Sequence, residues 1–321
     1  MKRFGFLYEK IYDVENIKLA HKNARKGKLH YKEVQMVDNK LDEYAEKLHV
    51  LLKEKKFKNS KYVIFKKKTD NGKIREIYKL PYFPDRIVHH AIMQIIEPIW
   101  KPTLIRDTFS SIKGRGVHDG IRRITRALND KEGTCYCLKL DVSKYYPSIP
   151  NDILKQVIRK KIKDKDLLQL LDEIINSTNG VPIGNYLSQY FGNLYLSSLD
   201  HKIKKDFKYY YRYCDDIIIL HKCKNTLNDL RKIIQDYLSE FLKLNLKPNW
   251  QIFPTSIRGI DFLGYRHFHQ FKLLRKSIKY KFIKLTRKIK QKRIVGLRAV
   301  NSLMSYKGWI IHGDCMILSL K

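Results

Sequence analysis

The sequence predicts an α+β fold, in which antiparallel strand pairs alternate with amphipathic helices. Two runs rich in aromatic and β-branched residues, Tyr209–Tyr213 and Ile217–Leu220, flank a short turn and predict a tight hairpin. Tyr62–Phe65 and Ile74–Tyr78 predict a second hairpin, because Asn71-Gly72 between them favours a turn with positive φ. Apolar residues at helical spacing predict helices within residues 8–55, 84–100, 119–128, 151–177, 190–199 and 225–244.

Three further details complete this prediction. Cys135–Leu140 alternates like a strand that ends at Asp141, and Gly259–Arg266 has the pattern of a strand pair with a central glycine. Leu19, in the first helical region, and Ile233, in the last, are expected on buried helix faces.

The charge of the chain is strongly one-sided. Its 321 residues include 66 Lys+Arg against 32 Asp+Glu, a formal net charge of +34. Solubility does not require such an excess, so we expect a polyanionic partner, and nucleic acid fits best. An anionic membrane surface is the rival, but neither a long apolar run nor a basic amphipathic anchor supports it.

Cysteine usage bounds the compartment and the metal chemistry. The five cysteines form no pair of Cys-x-x-Cys units, which argues against a structural zinc site. Their odd number, and a start at Met1–Gly5 without the apolar stretch of a secretory signal, predict reduced thiols in the cytoplasm.

Acidic residues stand at the ends of the predicted strands. Asp215 and Asp216 occupy the turn of the Tyr-rich hairpin, and adjacent carboxylates cannot both stay ionised without compensation. Divalent metal ions are one compensation, while an exposed hairpin tip is the alternative. Asp141 either caps its following turn or adds a third carboxylate. A three-carboxylate site could hold two metal ions that activate a primer 3′-hydroxyl and stabilise leaving pyrophosphate.

Basic residues cluster where the chain is predicted to turn. Arg25 and Lys26 lie in a basic break between helices, which is otherwise a solvated loop. Lys73 and Arg75 lie near the tip of the first hairpin, which could fold over a triphosphate or remain a solvated edge hairpin. Arg115 belongs to a Gly-rich turn before a helix, whose amides could hold a phosphate, although the P-loop pattern is lacking.

The tail is basic throughout. Residues 262–313 contain no Asp or Glu, and they include Arg275, Lys276 and Lys279 at helical spacing. Such a module could clamp a duplex backbone with strong salt dependence, and a solvated basic face is the alternative. His89 and His90 are adjacent on a predicted helix and point about 100° apart, so they cannot chelate one metal ion and indicate packing or RNA contacts.

Taken in order, these features resemble those of a reverse transcriptase, from about residue 17 to residue 313. The basic segment 24–28, the basic hairpin and Asp85–Ala91 resemble the family's fingers. The catalytic motifs and the primer grip of the family are similar to Leu140–Ile149, Tyr213–Asp216 and Phe262–Tyr265.

The resemblance implies a right-hand polymerase with interleaved regions. Residues 1–133 and 151–184 would form the fingers, 134–150 and 185–268 the palm, and 269–321 a basic helical thumb. The family's metal site would comprise Asp141, Asp215, Asp216 and the carbonyl of Val142, holding two Mg²⁺ ions for which Mn²⁺ can substitute.

Further roles follow from the resemblance. Tyr146 stands where the family has the aromatic gate that rejects a ribose 2′-hydroxyl. Arg75 and Lys73 would contact the incoming triphosphate, and Ile183 and Gly184 would line the nucleotide pocket. The primer-grip positions are Phe262, Leu263, Gly264 and Tyr265. Nucleic acid would be contacted by Arg25, Lys26, Arg115, Arg275, Lys276 and Lys279.

Residues 183–189, Ile-Gly-Asn-Tyr-Leu-Ser-Gln, look like the reverse transcriptases of diversity-generating retroelements. The short chain, without a maturase or endonuclease region, is similar to that group too. Cys214 departs from it, since Met or Ala is more usual there. The resemblance implies an RNA-directed DNA polymerase that acts on a template RNA, a cDNA or primer strand and dNTPs, with a structured non-coding RNA and a small basic accessory protein or second subunit.

Two alternatives stay open. Antiphage-defence reverse transcriptases, which work with a dedicated structured RNA, share many of these motifs. A non-enzymatic RNA-binding protein would explain the charge without any carboxylate site. Retron enzymes fit less well, because their C-terminal motif has no convincing match in the tail.

Overall fold

Helices and antiparallel strands alternate along the chain in a computed structural model, which describes residues 2–68, 72 and 74–314. The α-helices are α1 (Tyr8–Tyr12), α2 (Val14–Ala24), α3 (Lys32–Asn39), α4 (Leu41–Lys53), α5 (Ile87–Trp100), α6 (Val117–Ala127), α7 (Tyr145–Ser148), α8 (Asn151–Arg159), α9 (Lys165–Asn176), α10 (Tyr186–Tyr195), α11 (Ser197–Asp206), α12 (Lys224–Glu240), α13 (Thr255–Arg258), α14 (Lys276–Lys290) and α15 (Gly296–Ile311). The strands are β1 (Val63–Lys68), β2 (Ile74–Lys79), β3 (Tyr136–Asp141), β4 (Tyr209–Tyr213), β5 (Asp216–His221), β6 (Gln251–Pro254), β7 (Ile260–Phe262), β8 (Tyr265–His267) and β9 (Lys272–Leu274).

The chain forms two compact units from interleaved segments. Unit 1 comprises Met1–Arg106, Val142–Ile203 and Gln235–Leu246. Unit 2 comprises Asp107–Asp141, Lys204–Ile234 and Lys247–Lys321. The mixture of helices and antiparallel sheets confirms the predicted α+β class. In the described residues, no helix combines the length and the apolar character that crossing a membrane would require.

Unit 1 is mainly helical and carries one two-stranded sheet. Strands β1 and β2 pair antiparallel from Val63↔Lys79 to Lys68↔Ile74. Of the two predicted turn residues, Gly72 has a φ of 76°, and Asn71 lies outside the described residues. Helix α2 packs against both α4 and α5, because each of the three has an apolar face whose residues are buried.

Unit 2 holds a four-stranded antiparallel sheet with the order β4-β5-β3-β6 and a three-stranded sheet with the order β7-β8-β9. The four apolar residues of β5, Ile217–Leu220, are at most 1% exposed. This burial explains their unbroken apolar run, since both faces of the strand are covered. Helix α6 packs Ile121 and Ile124 into the core of this unit.

Several helix boundaries differ from the prediction. Of the helix expected from Pro84, the α-helical part starts at Ile87, and residues 84–86 form a π-helical turn that runs into it. Phe83, just before this turn, is extended (φ −107°, ψ 133°), as a residue before proline prefers. The helix expected over 190–199 is instead α10, which starts at Tyr186, and α11, which follows after Leu196. Helix α12 ends at Glu240, before the predicted 244, and the left-handed Lys243 (φ 51°) turns the chain away.

Two predicted buried positions are wrong. Leu19 is 49% exposed and Ile233 is 51% exposed, whereas their neighbours Ile17 and Ile234 are buried. Leu19 is two residues, about 200°, from Ile17 and so lies opposite the buried face of α2. Ile233 is one residue, about 100°, from the buried Ile234 and lies beside the apolar stripe of α12.

Candidate active site

Three carboxylates meet at one end of the four-stranded sheet of unit 2. Tyr213 pairs with Asp216 across the β4–β5 hairpin, so Cys214 and Asp215 form its turn. On the other side of β5, Asp216 is the direct cross-strand partner of Asp141, the last residue of β3. Directly opposed residues in an antiparallel pair lie about 5 Å apart, so the three acids share one small region.

A buried arginine supports the turn that carries Asp215. Arg212 is fully buried in β4, and its Nη1 donates to the carbonyl of Cys214 at 2.8 Å. The Cys214 thiol donates to Ser110 Oγ at 2.8 Å, and Cys214 has a left-handed φ of 55°. The turn is therefore held at two groups of Cys214, its carbonyl and its thiol. Both contacts act on a residue whose left-handed conformation is strained.

The segment before Ser110 lies beside β4 and fixes it. The Arg212 amide donates to the Asp107 carbonyl at 3.0 Å, and the Phe109 amide donates to the Arg212 carbonyl at 3.1 Å. The Asp107 carboxylate is 2% exposed and forms ion pairs with Arg123 and, at 2.7 Å, with Lys204. A buried and fully paired carboxylate anchors this segment under the turn.

The electrostatics of the three acids favour a bound cation. Burial, followed by the charge and hydrogen bonding of Asp141, raises the pKa of Asp215 to about 7. Burial also raises the pKa of Asp216 to about 6, although the Lys139 ammonium opposes the shift. Both shifts report negative charge that is crowded in a poorly solvated place.

Two lysines contact these acids. Lys247 Nζ donates to Asp141 Oδ2, and Lys139 Nζ lies 3.6 Å from Asp216 Oδ2. The other carboxylate oxygens, Asp141 Oδ1 and Asp216 Oδ1, are buried and have no hydrogen-bond partner among the described residues. Within the same residues, no set of three or more His, Cys, Asp or Glu side chains is arranged as an assembled metal site.

The donor set nevertheless fits a hard divalent cation. Mg²⁺ and Mn²⁺ prefer carboxylate oxygens, and Mg²⁺ is usually bound by one or two carboxylates together with substrate phosphates. The unpartnered oxygens of Asp141 and Asp216 are available to such an ion, and its charge would lower the raised pKa values of Asp215 and Asp216. Val142, whose carbonyl was predicted to assist, is buried and pairs with Leu246 in unit 1.

In unit 1, Tyr146 is held against helix α10. Its hydroxyl donates to Gln189 Oε1 at 3.0 Å, and its carbonyl accepts from the Val181 amide at 2.9 Å. A Cβ added to Gly192 would lie 2.9 Å from Tyr146 Cε1 and 3.3 Å from Tyr145 Cε1. Only glycine therefore lets the two aromatic rings pack on the helix as they do.

The Ile183-Gly184 segment is tied to strand β2. The Tyr78 amide donates to the Ile183 carbonyl at 2.8 Å. Gly184 has a φ of 130°, and a Cβ there would lie 2.6 Å from the Tyr78 carbonyl oxygen. The loop thus passes so close to the hairpin that a side chain at position 184 is excluded. Arg75 is exposed on the same strand, while Lys73 lies outside the described residues.

A cavity of about 230 Å³ lies beside this loop within unit 1. Its walls carry three cations, Lys28, Lys79 and Arg86, one carboxylate, Glu33, and the aromatic ring of Tyr186. His90 stacks on Tyr186 with ring centres 4.0 Å apart, and burial lowers the pKa of His89, another lining residue, to about 3. A cationic and aromatic cavity has the chemistry to hold a phosphate and a base.

The four predicted primer-grip residues form the β7–β8 turn in unit 2. Phe262, Leu263 and Tyr265 are buried in its core, and the Tyr265 hydroxyl donates to the Trp309 carbonyl. Gly264 has a φ of 86°, and its carbonyl accepts from the Arg275 amide at 2.9 Å. The backbone of this turn is thus bonded to the residue that precedes α14.

The predicted nucleic-acid contacts divide into paired and exposed side chains. Arg25 pairs with Asp38, and Lys26 donates to Asn23 at 2.7 Å. Arg275 Nη2 lies 2.6 Å from Asp261 Oδ1. Lys276 and Lys279 are exposed, and Arg115 is half-buried.

Sequence reasoning missed Lys139, Lys247 and Arg212. Lys139 precedes Asp141 by two residues on β3, so the alternation of a strand places both on one face, and this signal was available. Lys247 carried no local signal, because it is 106 residues from Asp141 in the chain. Arg212 lies in an apolar and aromatic strand, where a buried charge is itself a signal.

The chain matches known proteins in sequence. The family model described as "Reverse transcriptase (RNA-dependent DNA polymerase)" matches residues 65–267. Protein YkfC of Escherichia coli is 25% identical over 284 residues, which cover 74% of this chain and 73% of YkfC. The group II intron-encoded protein LtrA of Lactococcus lactis is 25% identical over 144 residues, or 41% of this chain and 23% of LtrA.

The matches to a yeast relative and to a solved structure cover smaller fractions of those proteins. The putative COX1/OXI3 intron 2 protein of Saccharomyces cerevisiae is 24% identical over 257 residues, covering 56% of this chain and 29% of that protein. Apo telomerase from Candida tropicalis superimposes with a TM-score of 0.47 at 15% identity, over 66% of this chain and 47% of the telomerase chain. This chain therefore spans less than half of the telomerase chain and less than a third of the yeast protein.

Proposed function

Because the chain belongs to the reverse transcriptase (RNA-dependent DNA polymerase) family, whose model matches residues 65–267, we propose that it copies an RNA template into DNA at Asp141, Asp215 and Asp216. Family membership confirms the predicted enzyme class and, with the antiparallel sheets, the right-hand polymerase fold. The observation that carries the proposed site is the meeting of three carboxylates at one sheet end, two of them with raised pKa values.

Two Mg²⁺ ions, for which Mn²⁺ can substitute, would be held by these three aspartates and the Val142 carbonyl. When bound, such ions lower the pKa of a primer 3′-hydroxyl and stabilise the charge of the leaving pyrophosphate. The protein's own contribution is rigidity. The Arg212 and Ser110 contacts fix the turn, so the Asp215 carboxylate is already in place when the reacting groups arrive.

The incoming nucleotide would be bound by unit 1 residues. The proposed triphosphate contact is Arg75, with Lys73 as a second candidate, and Ile183 and Gly184 would line the base and sugar. Tyr146 would reject a ribose 2′-hydroxyl by occupying its space, and its contact with Gly192 supports a rigid gate. The cationic and aromatic cavity supports nucleotide binding on this unit.

Nucleic acid would be bound mainly through charge. The exposed Lys276 and Lys279, with Arg275, would contact a duplex backbone, and Arg25, Lys26 and Arg115 would contact other parts of the template or primer. The turn Phe262–Tyr265 would approach the primer through its backbone, because its large side chains are buried.

We further assign the chain to a diversity-generating retroelement, on the resemblance of residues 183–189. Its partners would then be a template RNA, a cDNA or primer strand, dNTPs, a structured non-coding RNA and a small basic accessory protein or second subunit. A cytoplasmic location in a bacterial or phage-infected cell accompanies this assignment.

The experiment is incorporation of dNTPs on a primed RNA template in Mg²⁺, comparing the wild type with Asp215→Asn. We expect incorporation by the wild type and its loss in the variant, since the amide cannot supply the negative charge. The matched control is Asp206→Asn, which removes an exposed carboxylate at the end of α11 and should leave incorporation unchanged. Equal activity of wild type and Asp215→Asn would exclude the proposed site.

Sequencing of the RNA that copurifies with the protein tests the finer assignment. A template repeat that resembles a neighbouring gene, with cDNA errors at adenines, would support the retroelement. An unrelated structured RNA would favour the defence-type alternative. Bound RNA without any incorporation would favour a non-enzymatic RNA-binding protein.

A further inference from the structure

Lys139 and Lys247 hold positions on the catalytic carboxylates that the reaction, as proposed above, does not use. Lys247 contacts Asp141 Oδ2, and Lys139 lies 3.6 Å from Asp216 Oδ2. Each lysine side chain is 27% exposed, and each of the two carboxylates is 32% exposed. They are therefore partly desolvated pairs, which differ from the flexible surface lysines that cover much of this chain.

The backbone places both ammonium groups. The Lys247 amide donates to the Asp141 carbonyl at 2.8 Å, so main chain and side chain of Lys247 contact the same aspartate. Lys139 shares a face of β3 with Asp141, and its ammonium also donates to the Asp261 carbonyl. Each ammonium group is therefore held at a defined position by additional contacts. These contacts offset the rotamer entropy that a long lysine side chain loses when it is fixed.

The charges of this cluster are incompletely balanced. Three carboxylates face two ammonium groups, and Asp141 Oδ1 and Asp216 Oδ1 accept no hydrogen bond from the described residues. An ammonium carries one charge on a long stem, whereas a divalent ion carries two on a compact centre and can contact several oxygens at once. The lysines thus supply, to the same carboxylates, part of the positive charge that a metal ion would supply.

We propose that Lys139 and Lys247 are internal counter-ions of the catalytic carboxylates, and that divalent ions bind by displacing both ammonium groups from Asp216 and Asp141. The lysines are positioning residues: they keep the acids together before metal binds and lower the intrinsic affinity for metal. This inference rests on the proposed function, since it concerns the same carboxylates.

The two lysines differ in a way that makes the inference quantitative. Lys139 has a second acceptor in the Asp261 carbonyl, and its distance to Asp216 exceeds that of a hydrogen bond. Lys247 makes a direct hydrogen bond to Asp141. Displacing Lys247 should therefore cost more, so its removal should strengthen metal binding more than removal of Lys139.

The test is Mn²⁺ binding to the full chain without nucleotide, measured by isothermal calorimetry and by the loss of the free Mn²⁺ signal in electron paramagnetic resonance. We expect Lys247→Met to lower the Kd for Mn²⁺ about fivefold and Lys139→Met about twofold, which corresponds to the range measured for solvent-accessible ion pairs. Lys222→Met removes the same charge from an exposed position just beyond the other end of β5, and it should leave the Kd unchanged.

A second readout protects against variants that fold poorly. Without metal, both lysine variants should melt below the wild type, because uncompensated carboxylates remain. Saturating Mn²⁺ should raise their melting temperatures more than it raises that of the wild type. Lys247→Arg, which keeps the charge, should retain a Kd near the wild-type value.

The outcomes separate this inference from the proposed function. Saturable Mn²⁺ binding with unchanged or higher Kd in both Lys139→Met and Lys247→Met overturns the counter-ion role and leaves the metal site intact. The absence of saturable binding in every protein, with no dNTP incorporation, overturns the proposed function and the inference with it. Loss of binding in Asp216→Asn, together with tighter binding in the lysine variants, supports both.

Discussion

The contact between Gly192 and Tyr146 gives a sharp test of the proposed sugar gate. In Gly192→Ala the new methyl carbon would lie 2.9 Å from Tyr146 Cε1, so the ring must retreat by about 0.5 Å to reach 3.4 Å, where ordinary contacts begin. Tyr145 cannot yield easily, because its hydroxyl donates to the carbonyl of Gly192 itself. The displacement should therefore fall on Tyr146.

The magnitude follows from two opposed terms. Overpacking a well-filled site costs about 1–3 kcal/mol, while replacing glycine by alanine within a helix normally gains about 0.5–1 kcal/mol. We expect a net destabilisation of about 0.5–2 kcal/mol. A displaced gate should also lower kcat/KM for dNTPs and change the ratio of dNTP to rNTP incorporation by about tenfold.

Gly308→Ala is the matched control. Gly308 lies within helix α15, and a Cβ added there meets no atom within 4 Å. This variant should gain stability and keep the wild-type sugar ratio. Chemical unfolding and single-nucleotide extension with dNTP and rNTP measure both effects. If Gly192→Ala is as stable as Gly308→Ala and keeps the sugar ratio, then Tyr146 is not fixed by this helix as a gate.

Three other outcomes are expected. Tyr146→Ala should admit ribonucleotides at least about tenfold better than the wild type, and unchanged discrimination in single-nucleotide extension would remove the gate role. The single variants Lys276→Ala and Lys279→Ala should each reduce the steepness of the plot of log K for duplex binding against log salt concentration by about 1. Unchanged slopes would mean that the duplex binds elsewhere. The pKa of His89 is lowered from 6.5 to about 3 by burial, so the unfolded chain binds more protons between these values and stability falls as pH falls. This costs about 2 kcal/mol at pH 5, and urea unfolding of His89→Leu should show a smaller loss between pH 7 and pH 5 than the wild type.

The parts of the site that the sequence predicted are those encoded locally. The hairpin around Asp215 follows from two strand-forming runs and a two-residue turn, and the end of β3 at Asp141 follows from its alternation. Such patterns involve only residues that are close in sequence, so they can be recognised without knowledge of the fold. The antiparallel pairing then brings Asp141 opposite Asp216, as a three-carboxylate site requires.

The parts that escaped prediction depend on distant segments. Lys247 reaches Asp141 across 106 residues, and the cavity beside Gly184 combines segments around positions 28, 86 and 184. Helix ends escaped for a similar reason. Lys243 adopts a left-handed conformation that its residue type disfavours, so the end of α12 is imposed by surrounding structure and not by a glycine signal.

Arg212 shows why the catalytic turn needs support that its own sequence lacks. A turn that places Cys214 at a φ of 55° is strained, and two neighbouring carboxylates with raised pKa values add repulsion. Left alone, such a turn would relax by moving Asp215 towards solvent. The fully buried Arg212 guanidinium donates a hydrogen bond to the Cys214 carbonyl. The backbone of Arg212 is fixed in turn by a hydrogen bond to the carbonyl of Asp107, whose carboxylate is held by ion pairs. Burying these charges is costly. The cost is explained if the protein itself must bring the three carboxylates together before any metal ion binds. In such a site the metal ions do not assemble the carboxylates.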